Sequence, residues 1–385
     1  MHRSEVFSGR RAIRVALAGP YPKPNSMTGT YGRILGHMIS SPVFQPEVEF
    51  IPLHLTLPSD GGRARRMCVD AIRFARCLKQ KPDILHLVMQ KYQALYREFP
   101  ILEVTRRAGI KTVVDIRAGT LQAMLARSGF RLQNGMMRRI LKTGNAISVE
   151  CVKDVGYLKQ YHGLEGLYIP NVVLQEDYRR VIPARLPQVR GEPLRIIYSG
   201  RYSRDKGLGT ILQSLHLLSK DGIRVELHLS GQSDDAAMRD MVLAYVRSPP
   251  QGTKVVDHGW DVPDLLGLLA SSHVFALPTQ WWGEGHPNAV TEAMTAGLAM
   301  VLSDWIHRED IVPEGGALIV PPNDAAALAG AFRRFAEEPA LLASAGKVNR
   351  THVGERFLDT VNYSVLLDAY RRLSGGDQAA AGSPA

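Results

Sequence analysis

Short runs rich in Val, Ile and Leu alternate along this chain with longer stretches whose apolar residues recur every three or four positions. The short runs read as buried strands and the longer ones as amphipathic helices. In the first half, strands are expected at Ile13–Ala18, Val48–Leu53, Ile84–Val88, Thr112–Asp115, Ala146–Val149 and Leu167–Ile169. Helices are expected at about Tyr31–Ile39, Arg63–Lys79, Ala94–Arg107, Leu121–Lys142 and Val152–Tyr161. The pattern lapses from Leu174 to Pro193, where Pro183, Pro187 and Pro193 fall without a period, as in a linker. It restarts with strands at Leu194–Tyr198, Val225–Leu229, Lys254–Val256, Val274–Leu277, Ala299–Leu302 and Ala317–Ile319. Late helices are expected at Ala325–Glu337, Ala340–Asn349 and Leu358–Leu373.

Strand followed by helix, repeated, argues for right-handed βαβ units and parallel sheets. The expected fold is α/β, with two Rossmann-like domains over residues 1–180 and 181–357. A last helix over 358–373 is expected to cross back to the first domain, and a Gly- and Ala-rich tail over 374–385 is expected to be disordered.

Composition narrows this picture. With 45% apolar and 22% charged residues, the 385-residue chain has the make-up of a globular protein able to bury two cores. No stretch approaches the roughly 20 apolar residues needed to span a bilayer, and no secretory h-region follows the basic residues at the start. Three cysteines without CxxC spacing form neither a disulfide framework nor a zinc site, which suits a reducing cytoplasm. The net charge of +10 is uneven. Residues 1–185 carry 29 Lys+Arg against 14 Asp+Glu (+15), whereas 186–385 carry 18 against 23 (−5).

In open parallel sheets ligands bind beyond the carboxyl ends of the strands, so the loops there carry the chemistry. The first runs Gly19-Pro20-Tyr21 to Thr28-Gly29-Thr30, a loop whose amides would approach an anion or simply turn the chain. It has neither a GxGxxG nor a GxxxxGK[ST] pattern, which disfavours a nicotinamide dehydrogenase and a P-loop kinase. In the second half, Ser199-Gly200-Arg201 leads to Lys206-Gly207, placing a guanidinium fork and an ammonium where they suit a diphosphate. Glu284-Gly285-His286-Pro287-Asn288 then opens a helix that carries Glu292, with Pro287 in its first turn. Amides at that helix mouth carry partial positive charge. One glutamate would meet a ligand at the mouth and the other a more distant hydroxyl.

These residues resemble the retaining glycosyltransferases of the GT-B fold, family 4. The matching pieces are Gly200-Arg201 with Lys206-Gly207, Leu229-Ser230-Gly231, and Glu284 with Glu292-Ala293-Met294 through Ala296-Gly297 to Val301. Further pieces are Glu309-Asp310-Ile311-Val312 and Gly316-Ala317-Leu318-Ile319-Val320-Pro321. Coverage is best over about 194–340. In the first half the weaker matches are the Gly29 loop, Pro82-Asp83-Ile84-Leu85-His86 and Ile169-Pro170-Asn171.

The resemblance implies two lobes facing a cleft, the first binding the acceptor and the second a UDP- or GDP-sugar. Arg201 and Lys206 would hold the diphosphate and neutralise the leaving group, while Glu284 would contact donor-sugar hydroxyls. Gly200 and the amides of Gly285, His286, Pro287 and Asn288 belong to the same donor set, and Glu292 would accept from the ribose. The base would lie near Gly231 and the Gly259-Trp260 loop, where Trp260 either stacks or fills core. No Asp-x-Asp is present, so neither a metal nor a cofactor is expected. Departing phosphate would take the acceptor proton on the same face of the sugar.

Members of this family often carry a histidine just after the fourth strand of the first lobe; here Arg117 stands there, either facing an anionic group or pairing with Asp115. His86 is either a site residue or a core histidine, and Trp281-Trp282 either line the sugar pocket or pin the loop. The expected protein is a cytoplasmic hexosyltransferase of polysaccharide or glycolipid synthesis. A GT-B epimerase or phosphorylase, or a non-catalytic nucleotide-sugar binder, are the alternatives. Arginines and lysines on Arg63–Lys79 and about Arg127–Lys142 suggest a peripheral enzyme on an anionic membrane with a lipid-linked, pyrophosphate-bearing acceptor. They show no nucleic-acid recognition module.

Overall fold

The computed structural model describes residues 11–19, 30–56, 60–89, 94–117, 119, 121–126, 128–183 and 192–375. Gly29, Arg127, residues 184–191 of the expected linker and 376–385 of the expected tail lie outside these. Two compact units emerge among the described residues. The chain passes from the first to the second at Ile169–Pro170, and Asn362 onward groups with the first again.

The first unit holds β1 (Ile13–Gly19), β2 (Val48–His54), β3 (Ile84–Met89), β4 (Lys111–Ile116), β5 (Ala146–Val149) and β6 (Leu167–Tyr168). They form one parallel sheet in the order β2-β1-β3-β4-β5-β6. The second unit holds β7 (Leu194–Ser199), β8 (Val225–Ser230), β9 (Thr253–Asp257), β10 (Val274–Leu277), β11 (Ala299–Ser303) and β12 (Ala317–Val320). Its parallel order is β12-β11-β10-β7-β8-β9. Helices cover both faces, which explains the unbroken apolar runs: every residue of β3, β10 and β11 is buried.

In the second sheet the chain runs outward from β7 through β8 and β9, then restarts at β10 on β7's other side. The crevice between β7 and β10 is therefore the switch point, where a doubly wound sheet leaves room for a ligand.

Local departures from the sequence pattern have physical causes. The single helix expected over Leu121–Lys142 is broken at Ser128-Gly129 into Leu121–Leu125, a 3₁₀ turn at Ser128–Phe130 and Arg131–Thr143. Part of the expected linker is a short helix, Gln175–Arg180. Asp359 Oδ1 accepts from the Gln175 amide at 2.9 Å, and Tyr178 lies under the Arg350 guanidinium. Tertiary capping thus supplies what periodicity did not. The last two helices run Pro339–Arg356 and Asp359–Leu373.

Candidate active site

Two loops meet at the β7/β10 switch point. After β7, Gly207 adopts φ +74° and starts the helix Leu208–Lys220; a Cβ there would lie 2.0 Å from the Pro278 carbonyl oxygen after β10. Only glycine allows this approach. The Asp205 carbonyl then accepts from the Gln280 amide (2.7 Å) and from Thr279 Oγ1 (3.0 Å), stitching the loops together.

That stitching brings Lys206 and Glu284 into contact. Lys206 Nζ donates to Glu284 Oε2 at 2.5 Å, with side-chain exposures of 15% and 8%. Thr279 Oγ1 lies 3.4 Å from the same carboxylate oxygen, and the Lys206 ammonium sits 5.7 Å from the Trp281 ring centroid. Trp281 and Trp282 are both exposed. Arg201 points elsewhere: its side chain is 64% exposed and reaches Asp205 at 3.7 Å. Its carbonyl is fixed by the buried Tyr198 hydroxyl at 2.5 Å. Burial pushes that phenol well above its usual range, and the negative charges of Glu284 and Asp205 push it further.

The loops after β7, β8 and β9 close ranks beside this pair. Gly200 donates to the Ser230 carbonyl (2.9 Å) and Gly231 to the Gly259 carbonyl (2.8 Å). A Cβ on Gly231 would fall 1.9 Å from the Gly200 oxygen. Tyr202 donates to Asp257 Oδ1 at 2.7 Å, and the Gly259 amide to the same oxygen at 2.9 Å. Trp260 is half-buried in this loop.

The helix after β10 starts at Asn288, so Pro287 is its N-cap and not a first-turn residue; no side chain caps it. Glu292 is half-buried one turn in. The His286 ring faces inward, with Nε2 2.7 Å from Thr291 Oγ1 and an edge contact to Phe357. Asn171 donates to the His286 carbonyl, and Trp305 Nε1 to the Gly285 carbonyl at 3.3 Å. Asn288 Nδ2 is buried without a hydrogen-bond partner among the described residues, an orphan donor at the helix mouth.

In the first unit, the tentative residues form a buried network at the ends of β3, β4 and β5. Arg117 Nε donates to both Asp115 oxygens at 2.9 Å, and Ser148 Oγ to Asp115 Oδ1 at 2.9 Å. Of the two sequence readings of Arg117, the structure shows the pairing. His86 Nδ1 lies 2.6 Å from the Tyr370 hydroxyl and Nε2 3.7 Å from Asp115. Burial pushes the Asp115 carboxyl up, but the charge of Arg117 and the His86 contact outweigh it and hold it low. Burial raises Glu150, the residue after β5, to about 8 against the pull of Arg117, with Asp115 and Asp154 adding to the rise.

Sequence reasoning missed the roles of Thr279, Asp205 and Tyr198 in holding these loops. Only Thr279 carried a usable signal, as the first hydroxyl beyond an apolar strand.

Two Rossmann-like sheets, the second with a cation–carboxylate pair at its switch point, give the chain a GT-B-like architecture. Residues 193–338 match the family model of the group 1 glycosyl transferases. The chain is 25% identical over 198 residues to the amylovoran biosynthesis glycosyltransferase AmsK of Erwinia amylovora, covering 48% of this chain and 46% of that protein. It is 22% identical over 209 residues to the capsular polysaccharide biosynthesis glycosyltransferase CapM of Staphylococcus aureus, covering 54% and 51%. The chain thus spans about half the length of the curated relatives it matches.

Among solved structures, sucrose-phosphate synthase of Thermosynechococcus elongatus superposes with TM-score 0.71 at 18% identity, covering 95% of this chain and 100% of that one. HepE of Anabaena, in complex with UDP and glucose, gives 0.67 at 12% identity, covering 93% and 98%. Residues 193–338 thus match the group 1 glycosyl transferases, and the solved structures show that the chain has a GT-B-like fold.

Proposed function

We propose that the protein is a retaining hexosyltransferase that moves a sugar from a UDP- or GDP-sugar to a glycan or lipid-linked acceptor in cell-surface polysaccharide or glycolipid synthesis. The Lys206–Glu284 pair at the β7/β10 switch point carries this reading. An arriving diphosphate draws Lys206 to itself and frees Glu284 to accept hydrogen bonds from the sugar hydroxyls. Arg201, exposed and bound only loosely by Asp205, swings to the same phosphates. The orphan Asn288 Nδ2 and the helix amides complete a preorganised field for the leaving group. Glu292 takes the ribose, and the Gly200, Gly231 and Gly259 backbones floor the base.

In the reaction the bond from the anomeric carbon to the diphosphate breaks, and a bond to the acceptor oxygen forms on the same face. The acceptor proton passes to the departing phosphate, through an oxocarbenium-like state. The polysaccharide assignment follows the names of AmsK and CapM. Among the described residues no helix is long and apolar enough to cross a membrane; the basic first unit supplies the attraction to an anionic surface. A screen of nucleotide sugars for thermal stabilisation, followed by product analysis with and without acceptor, tests the reading. Stabilisation by no nucleotide sugar, or isomerised donor as the sole product, would remove it.

A further inference from the structure

The helix Arg63–Lys79 begins at the carboxyl end of β2 with Arg63, Arg65 and Arg66 and no acidic residue in its first turn. Cations there oppose the helix dipole, so the local rule is broken at the end of the sheet where ligands bind. The face bearing residues 63, 66, 70 and 73 is turned toward the strand ends. Arg73 Nη1 donates to the His54 carbonyl (3.0 Å), and the buried Asp70 accepts from the Thr56 amide and hydroxyl, both at 2.9 Å. Arg66 and Arg63 on that face therefore project about 6 and 10 Å beyond Asp70 along the axis.

A second element supplies the opposite wall. From the helix Leu95–Arg107, Tyr96 lies beneath the Arg63 guanidinium at 4.9 Å, and Arg97 Nη1 donates to the Thr56 carbonyl at 2.6 Å while reaching Asp70 at 3.5 Å. Arg97 thus reaches from the second helix to a carboxylate that Thr56 already satisfies, while the adjacent Tyr96 carries the Arg63 guanidinium. Among the described residues the Nε atoms of Arg66 and Arg97 are buried without an acceptor, and Oε2 of the fully buried Glu98, whose other oxygen lies 3.5 Å from Arg97, is buried without a donor. Burial raises Glu98 to about 7 against the pull of Arg97, so near neutrality it balances that charge only in part.

We infer that Arg63 and Arg66, backed by Arg97, form an anion site for a phosphate or pyrophosphate group of the acceptor. This rests on the acceptor reading above and gives it an address separate from the donor diphosphate. Guanidinium forks suit a phosphoryl group's paired oxygens, whether it comes from a lipid headgroup or a soluble phosphorylated sugar.

The test uses the full chain saturated with UDP, so that the second unit's diphosphate site is filled, and titrates inorganic pyrophosphate by thermal shift and calorimetry. Further, saturable stabilisation is expected. The double variant Arg63→Ala/Arg66→Ala weakens it at least about tenfold, and Arg63→Lys/Arg66→Lys restores it in part, with the UDP shift unchanged in both. Arg97 is left intact because it holds buried Asp70. Pyrophosphate stabilisation that is absent, or equal in wild type and variants, overturns the site. If UDP fails to bind while pyrophosphate still depends on the two arginines, the site stands and the donor reading falls. Phosphatidylcholine vesicles with and without phosphatidic acid separate the sources. Capture by the acidic vesicles that pyrophosphate competes away assigns a lipid phosphate, and pyrophosphate binding without capture assigns a soluble one.

Discussion

Gly207 stands so close to Pro278 that a methyl on its Cα would sit 2.0 Å from the proline's carbonyl oxygen. This contact joins the loops after β7 and β10, and the Lys206–Glu284 pair depends on it. Gly207→Ala would both force alanine into the left-handed region and separate the loops. We expect a loss of about 2–4 kcal/mol in a urea titration, with loss of nucleotide-sugar binding in whatever protein remains folded. Wild-type binding in the variant would break the link between loop closure and the site.

Removing one member of the ion pair leaves the other charge stranded. Lys206→Met should destabilise by about 3 kcal/mol, the low end for a broken buried pair because both side chains keep some exposure. Adding Glu284→Gln should recover most of that stability without recovering donor binding. A double-mutant cycle in urea measures the coupling; purely additive losses would show that the two groups do not interact.

Glu150 predicts a pH dependence. Its carboxyl rises from an ordinary 4.5 to about 8, so between those values the folded chain keeps a proton that the unfolded chain has released. Its contribution is therefore greatest below pH 4.5 and declines toward pH 8, by up to about 1.4 kcal/mol per unit. Glu98, raised to about 7, acts in the same direction. Glu150→Gln should remove that slope across the whole window and leave stability nearly level between pH 7 and 8, where Glu98 no longer contributes. An unchanged slope there would contradict the buried network.

The alternating pattern made the fold legible: each of the twelve expected strands is present, and those covered on both faces, such as β3, β10 and β11, are buried throughout. The candidate site was legible as residue types after strands, not as a geometry. Lys206 and Glu284 lie 78 positions apart, and nothing local to either announces that they touch; the switch point that joins them is a property of strand order. The helix Gln175–Arg180 stayed hidden because its support comes from Asp359 and Arg350, far along the chain. Arg117 could not be resolved between a ligand contact and Asp115, since both readings need the same side chain one step beyond β4.

The central claim is that Lys206 and Glu284 hold the diphosphate and the sugar of one donor. The most direct measurement is sugar transfer or donor hydrolysis by the purified protein with its preferred nucleotide sugar, compared among wild type, Lys206→Ala and Glu284→Ala. The account predicts a fall of at least about a hundredfold in each variant, as for loss of a preorganised charge contact to a leaving group or reacting sugar. Activity within a few-fold of wild type in either folded variant would contradict it.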